Sequence, residues 1–535
     1  MMAGTTARHI LELERRGLLR GALGLAAMAA VAGTRARSAR AQAAFRSYPF
    51  TLGVASGDPL PDGVVLWTRL APEPMAPLGG LAPAAFPVEW EVAADERFRG
   101  IVRTGSEWAR PELGFSVHAE VGGLDPARPY WYRFRCGNAV SQVGRTRTAP
   151  AAGAAPERLR FVHAGCQMYE HGHFTAWRHV AEEEEALDFV FHYGDYIYEG
   201  AGRVPNQPGW SPLARRVEGA ETYTLEDYRR RYAQYHADPD LMAAHQAHPF
   251  LCSFDDHEVD NNWAGPHSEE DGGRRHPVAV PPEVFALRRQ AAFQAWWENL
   301  PLRRAQLPRG PEVAMHRRLR FGRLLEVHVL DTRQWRDDQP CGDGYNLPPC
   351  AEVARPEAQM LGAAQEAWLL DGAARSDATW QVLAQQVMMS PLALPGGINF
   401  DIWDGYPAAR TRLLRGLAER GVRNPVVLTG DVHRALVGEL RAEEGGPVVA
   451  TEFVATSISS GGDGSEQEPV TPELLRRNPH LRFYNNRRGY CLHEASAERL
   501  TVAYRGLDQV GQPGAPRLDK GRFVVEAGRP GVAPA

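Results

Sequence analysis

The chain has 535 residues, with 53 Gly and 41 Pro, and a formal net charge of −5. That length implies two or more domains, and the mildly acidic balance offers no basic surface for nucleic acid. Mean hydropathy is −0.38 and no run of 18 apolar residues occurs, so no membrane span is expected.

Residues 1–41 read as a leader. Arg15-Arg16 precede a weakly apolar stretch at 21–33, and Ala39-Arg40-Ala41 fits small-x-small cleavage. The paired arginines and the Ala/Gly-rich apolar stretch favour the twin-arginine export machinery, hence a periplasmic or extracellular location. From 45 to 150 the pattern is all-β, with strands expected at 64–68, 88–92, 115–121 and 131–135. There, Leu124-Asp125-Pro126 ahead of Tyr130-Trp131-Tyr132 looks like the corner of a fibronectin- or Ig-like β-sandwich. The Ala/Pro-rich stretch 149–156 reads as a linker.

From 158 onward strands and helices alternate, up to about residue 520. Strands are expected at 159–164, 189–193, 250–254, 325–331, 380–386 and 425–429. Helices are expected at 224–236, opened by a capping box of Thr224 and Asp227, and at 282–300. A hairpin joins 313–321 to 324–331 across Gly322-Arg323. The alternation predicts a layered α/β sandwich of two sheets with helices outside. Residues 201–220 have no clear period and read as a loop over the site.

Four strand ends carry ligand-type side chains: Cys166, Asp195 with Tyr198, Asp256 to Asn262, and Asp431 with His433. In an open α/β sheet the carboxyl ends of strands are where ligands bind. Asp195 suits a bridging carboxylate between two cations. Cys166 and Tyr198 bind only when deprotonated, which demands a strongly Lewis-acidic metal such as ferric iron, and His433 would complete that set. Asp256, Asn262 and Asp431 offer oxygen alone, the hard set that Ca²⁺ or Mg²⁺ prefers. Plainer readings stand beside these: Cys166 as a core thiol, Asn261 and Asn262 as helix caps, His433 as a turn histidine. His171 and His173 are expected to begin the next helix rather than to bind metal. His257, beside Asp256, is placed to protonate a leaving group or to bond a phosphoryl oxygen. Arg333 and Arg336 are candidates for the non-bridging phosphate oxygens.

Of the six cysteines, Cys341 and Cys350 flank a short Gly/Pro/Asn-rich loop and are expected to form a disulfide. Cys252 lies in an expected buried strand and can serve as a small hydrophobe.

The motifs GCQ, HYGDYIYE, DDHEVDNNWAG, LDTRQWR, QQVMMSPL, LTGDVHRA and EFVATSISSGG, in this order, resemble the PhoD family of alkaline phosphatases and phosphodiesterases. The resemblance runs from about 45 to 505. It implies a fibronectin-like domain at 45–150 and a calcineurin-like metallophosphoesterase domain at 157–520, a four-layer sandwich. It also implies iron on Cys166, Asp195, Tyr198 and His433, and one or two calcium ions on Asp195, Asp256, Asn262 and Asp431. The expected function is a metal-dependent phosphoesterase acting by attack of metal-bound hydroxide on phosphate mono- or diesters, as a monomer. A phospholipase D-like or teichoic-acid-type phosphodiesterase, or a surface binding protein with a vestigial site, are the alternatives.

Overall fold

The structure, a computed structural model, describes residues 45–184, 186–203, 213–268 and 279–535. The leader with Arg15-Arg16, and residues 204–212 of the expected loop, lie outside the described residues. No described helix is long and apolar enough to cross a membrane.

Two large sheets form the body. In the first, Leu159–Ala164, Phe189–His192 and Pro249–Cys252 run parallel and adjacent. All three are buried along their length apart from one residue, which is why they read as near-continuous apolar runs. In the second, Leu325–Val329, Trp380–Ala384, Pro425–Thr429 and Val448–Val454 are parallel, with Arg317–Phe321 closing the expected hairpin at one edge. One long strand, Leu481–Ala495, belongs to both sheets. Its start pairs with Ala435–Arg441 in the second sheet, and its end pairs with Leu159–Ala164 in the first. Gly489 makes the crossing possible: its φ is 154°, and a Cβ there would lie 1.9 Å from the Arg505 carbonyl oxygen.

The N-terminal strands divide between two sheets. Phe86–Ala93, Ile101–Ala109, Pro129–Cys136, Ala139–Val140 and Gly144–Arg147 form their own five-stranded sheet. Val54–Leu60, Gly63–Arg69 and Ser116–Val121 instead extend the first large sheet, because Ser56 and Gly57 pair in parallel with Pro249 and Phe250. A separate apolar cluster that includes Val64, Leu66, Phe115, Tyr132 and Phe134 fills the space between the two layers.

The expected helix at 224–236 is Leu225–His236, with the Thr224 hydroxyl and the Asp227 carboxylate capping each other's backbone N–H. That arrangement contributes about 1 kcal/mol. The second expected helix is Pro282–Asn299. Sequence reading missed the strand Ile101–Ala109 and the C-terminal meander Arg499–Leu507, Arg517–Glu526 and Arg529–Pro534, which carries the first sheet past residue 520. His171 and His173 are a further correction: the helix begins at Thr175, and both precede it in a loop.

Candidate metal centre

Parallel strands put their carboxyl ends at one edge, so the segments after Leu159–Ala164, Phe189–His192, Pro249–Cys252 and Pro425–Thr429 converge. The first three belong to one sheet and the last to the other. Tyr193 joins them, wedged between Gly165 and Gly430 with its hydroxyl donating to the Thr456 carbonyl at 3.1 Å. A Cβ on Gly165 or Gly430 would sit 2.6 or 2.2 Å from its ring. The glycines of the GCQ and TGD motifs therefore let the two sheets meet at the site.

The backbone there is unusual. Cys166, Asp195, Asn262, Asp431 and His433 all have positive φ, between 52° and 66°. Left-handed non-glycine residues cost of order 1–3 kcal/mol each and persist where the surroundings over-determine them. Buried Glu258 does this at Asp195. Its Oε2 accepts from the N–H groups of Asp195 (3.1 Å) and Asp255 (2.8 Å), and its Oε1 from that of Tyr196 (2.7 Å). The Cys166 N–H in turn donates to the Gly194 carbonyl at 3.0 Å.

Ligand atoms converge in three overlapping groups. Cys166, Asp195 and His433 make one, Asp195, Asp256 and His257 the second, and Asp255, Asp256 and Asp431 the third, each with its atoms within 4.8 Å of one another. Tyr198 joins the first: its hydroxyl donates to Asp195 Oδ2 at 2.8 Å and lies 3.3 Å from His433 Nε2. Ser460 Oγ is 2.6 Å from the same hydroxyl and donates to the Cys166 carbonyl at 2.8 Å. Asn262 reaches the third group through its backbone, whose N–H donates to Asp256 Oδ2 at 2.8 Å.

Charge at this edge is only partly compensated by His257 and Arg333. Burial, then repulsion from Asp256, pushes the Asp195 carboxyl well up, and burial with Asp255 does the same to Asp431. Burial lifts Asp255 to about 7 despite Arg333. Burial, then Asp195 and Asp431, pushes the Cys166 thiol up, and burial raises the Tyr198 phenol. Asp195 Oδ1 and Asp255 Oδ2 are buried without a hydrogen-bond partner among the described residues. An acceptor left unpaired in this way fits a cation.

His257 faces the carboxylates, with Nδ1 2.7 Å from Glu199 Oε2 and its ring centroid 4.0 Å from that of Tyr198, the planes tilted by 32°. Burial alone would lower its pKa, but Glu199, then Asp256 and Asp195, hold it well above the usual imidazole range. Glu199 Oε1 also accepts the Asn261 N–H at 2.8 Å.

Arg333 and Arg336 are tied to carboxylates inside the protein, contrary to the expectation from sequence of donors for phosphate oxygens, and of their side-chain nitrogens Arg336 Nε alone lacks a partner among the described residues. Both are buried. Arg333 donates through Nε to Asp255 Oδ1 (2.6 Å) and through Nη1 and Nη2 to Asp401 (2.8 and 2.9 Å). Arg336 is bound to the Asp401 carboxylate and carbonyl. Two guanidinium groups locked on one buried carboxylate brace the acidic edge from behind. Glu199, Asp255 and Glu258 escaped the sequence reading although they stand inside the quoted motifs, where the carboxylates already chosen overshadowed them. Asp401 had no local signal, since its partners lie more than sixty residues away. Cys341 and Cys350 form a disulfide, and Cys136, Cys166, Cys252 and Cys491 are free and buried.

Residues 161–504 match the family model described as PhoD-like phosphatase, and residues 35–150 match its N-terminal domain model. The chain belongs to the PhoD-like phosphatase family. It is 45% identical over 496 residues to alkaline phosphatase D of Bacillus subtilis (strain 168), covering 91% of this chain and 82% of that protein. It superposes on a solved structure described as PhoD with a TM-score of 0.86 and 44% identity, covering 92% of this chain and 93% of the other. As a PhoD-like phosphatase the protein is a phosphoesterase, and the three ligand groups provide places for the metals this family depends on.

Proposed function

We propose that the protein is an exported iron–calcium phosphoesterase that hydrolyses phosphate mono- and diesters. Cys166, Asp195, Tyr198 and His433 would hold ferric iron, and Asp195, Asp256, Asn262 and Asp431 calcium, with Asp195 shared. The observation that carries this reading is the meeting of a thiol, a phenol and an imidazole on one carboxylate that keeps an unpaired buried oxygen. Bound cations would offset the charge that grows on the phosphoryl oxygens during transfer and acidify an attacking water. His257, held by Glu199, donates a proton to the departing oxygen. Glu258 keeps the Asp195 turn in its left-handed form, and Arg333 Nε holds the Asp255 carboxyl in place beside Asp256.

The domain reading proposed with it is a fibronectin-like sandwich over 45–150 and a metallophosphoesterase sandwich of two sheets from 157. The Asp125 N–H donates to the buried Tyr130 hydroxyl at 2.9 Å, the bond that a tyrosine corner makes in such sandwiches. Export through the twin-arginine machinery is supported by Arg15-Arg16, and an oxidising destination by the Cys341–Cys350 bridge. We take the active form to be a monomer.

Elemental analysis with a visible spectrum tests the metal assignment. One iron per chain and a charge-transfer band that shifts or bleaches in Tyr198→Phe are expected, whereas an iron-free, fully active enzyme would end it. Arg15→Lys/Arg16→Lys precursor should stay in the cytoplasm. Turnover of a monoester against a diester dye substrate ranks the two ester classes.

A further inference from the structure

The loop between Cys341 and Cys350 has no part in the site described so far, yet it reaches it. Asp343 Oδ2 accepts a hydrogen bond from Asn262 Nδ2 at 2.9 Å. A carboxylate only accepts, so this bond fixes which way the Asn262 amide is turned: its NH₂ faces Asp343, and its carbonyl oxygen faces away. The Asn262 backbone is gripped as well, its carbonyl accepting from Gln339 Nε2 at 2.5 Å, and its φ is 53°.

Asp343 is itself held in an improbable place. Cys341, Gly342, Asp343 and Gly344 have φ values of 63°, 71°, 54° and 143°, four successive positive values of which two fall on non-glycine residues. Such a run does not persist in an untethered loop. Here the Cys341–Cys350 bridge closes the loop, with Cα atoms 5.9 Å apart. Tyr345 pairs with Asn399, and the Phe400 N–H donates to the Gly344 carbonyl at 3.0 Å.

We infer that Asp343 is a positioning residue for the oxygen-donor cation site. It turns the Asn262 amide so that only the carbonyl oxygen is available as a ligand, and the Cys341–Cys350 bridge keeps it there. This rests on the calcium assignment proposed above. Closing the bridge passes two electrons and two protons from the Cys341 and Cys350 thiols to a disulfide oxidant, which becomes a dithiol. The cation site is therefore completed in an oxidising compartment.

Calorimetric titration of calcium into the calcium-depleted, iron-loaded enzyme tests the inference, with the visible iron band as the control for an intact fold. Loss of a partner that orients a ligand costs about 10–100-fold in metal affinity. Asp343→Ala should weaken calcium binding by that amount while the iron band stays. Asp343→Asn keeps an acceptor for Asn262 Nδ2 and should bind calcium close to wild type. Cys341→Ser/Cys350→Ser should weaken binding in the same direction as Asp343→Ala. Calcium affinity unchanged in Asp343→Ala overturns the inference. So does an Asp343→Asn as weak as Asp343→Ala, since Asp343 would then act through its charge. Unchanged affinity in the double cysteine variant overturns the role of the bridge. A wild-type enzyme that takes up no calcium overturns the calcium assignment itself, and this inference with it.

Discussion

Two groups of cysteine and histidine lie on and just beyond the same strand, and their contrast is instructive. His163, on Leu159–Ala164, meets Cys491 and His493 of the shared long strand. Three residues later Cys166 meets Asp195 and His433. The residue types are nearly the same, but the first group sits in regular strand pairing, Cys491 directly opposite His163 and His493 diagonal to it. His163 Nε2 donates to the Thr429 carbonyl at 2.8 Å, so its Nδ1, 3.0 Å from His493 Nε2, must accept from that ring. Both imidazoles are neutral, His163 being pushed down to about 4 by burial. The second group stands past the strand end, on left-handed backbone, where burial and crowded carboxylates outweigh the charges of His257 and Arg333 beside them. What separates the candidate metal cluster from the core cluster here is position at the strand end and crowding of carboxylates, not the list of side chains.

The sharpest way to break this comparison is to alter each group in turn. Asp195→Asn removes the carboxylate shared by the proposed ligand sets, so metal content and turnover should both fall to background by elemental analysis and assay. A variant that keeps its metals would show that Asp195 does not bridge. His257→Ala should keep near-full metal content while kcat drops about 10²–10⁴-fold. The drop should be larger for alkyl phosphates, whose alkoxide needs a proton, than for nitrophenyl phosphate. Loss of metal in that variant would make His257 a ligand, and an equal drop for both leaving groups would make it a phosphate binder.

Arg333→Ala strips the partner from Asp255 and Asp401 inside the protein. Breaking a buried pair in this way costs about 3–5 kcal/mol, and chemical denaturation should show it. An effect confined to KM with unchanged stability would restore the substrate role expected from sequence.

The metal-free protein should also lose stability as pH rises. Burial holds Asp255 at about 7 and Glu258 at about 8 in the folded state, against ordinary values of 3.8 and 4.5. Folded pKa values above the unfolded ones give stability that is present at low pH and lost as pH climbs between about 4 and about 8. His433, pushed down by burial, offsets part of this below its ordinary 6.5. Melting temperatures measured across that range, with and without metals, decide it: a curve that rises with pH would mean that the acidic edge is neutralised from within. The smallest effect belongs to the core group. Cys491→Ala should cost about 1 kcal/mol and leave metal content and turnover as they are, and loss of metal would erase the distinction between the two groups.

Much of the candidate site was legible in the sequence because its proposed ligands follow apolar runs that end at a glycine or at an Asp pair. An apolar run of four to six residues followed by Gly-Cys, Gly-Asp or Asp-Asp is a local pattern, and parallel strands bring such ends to one edge. The same locality made the Thr224 capping box and the Gly322 hairpin readable. Tertiary structure alone decided the rest. No local pattern tells that Val54–Leu60 pairs with Pro249–Cys252, or that Leu481–Ala495 serves two sheets, since both depend on register across hundreds of residues. Arg333 and Arg336 looked free because an arginine's charge is visible in sequence, whereas the carboxylate that consumes it, Asp401, comes from a distant turn. Asp343 likewise acquires its meaning only when the disulfide loop folds onto Asn262. The sequence by itself determined which chemistry is present at each strand end. The fold determined which of those charges are spent inside the protein and which are left for a cation, because burial and pairing are properties of neighbours that the chain brings together only in space.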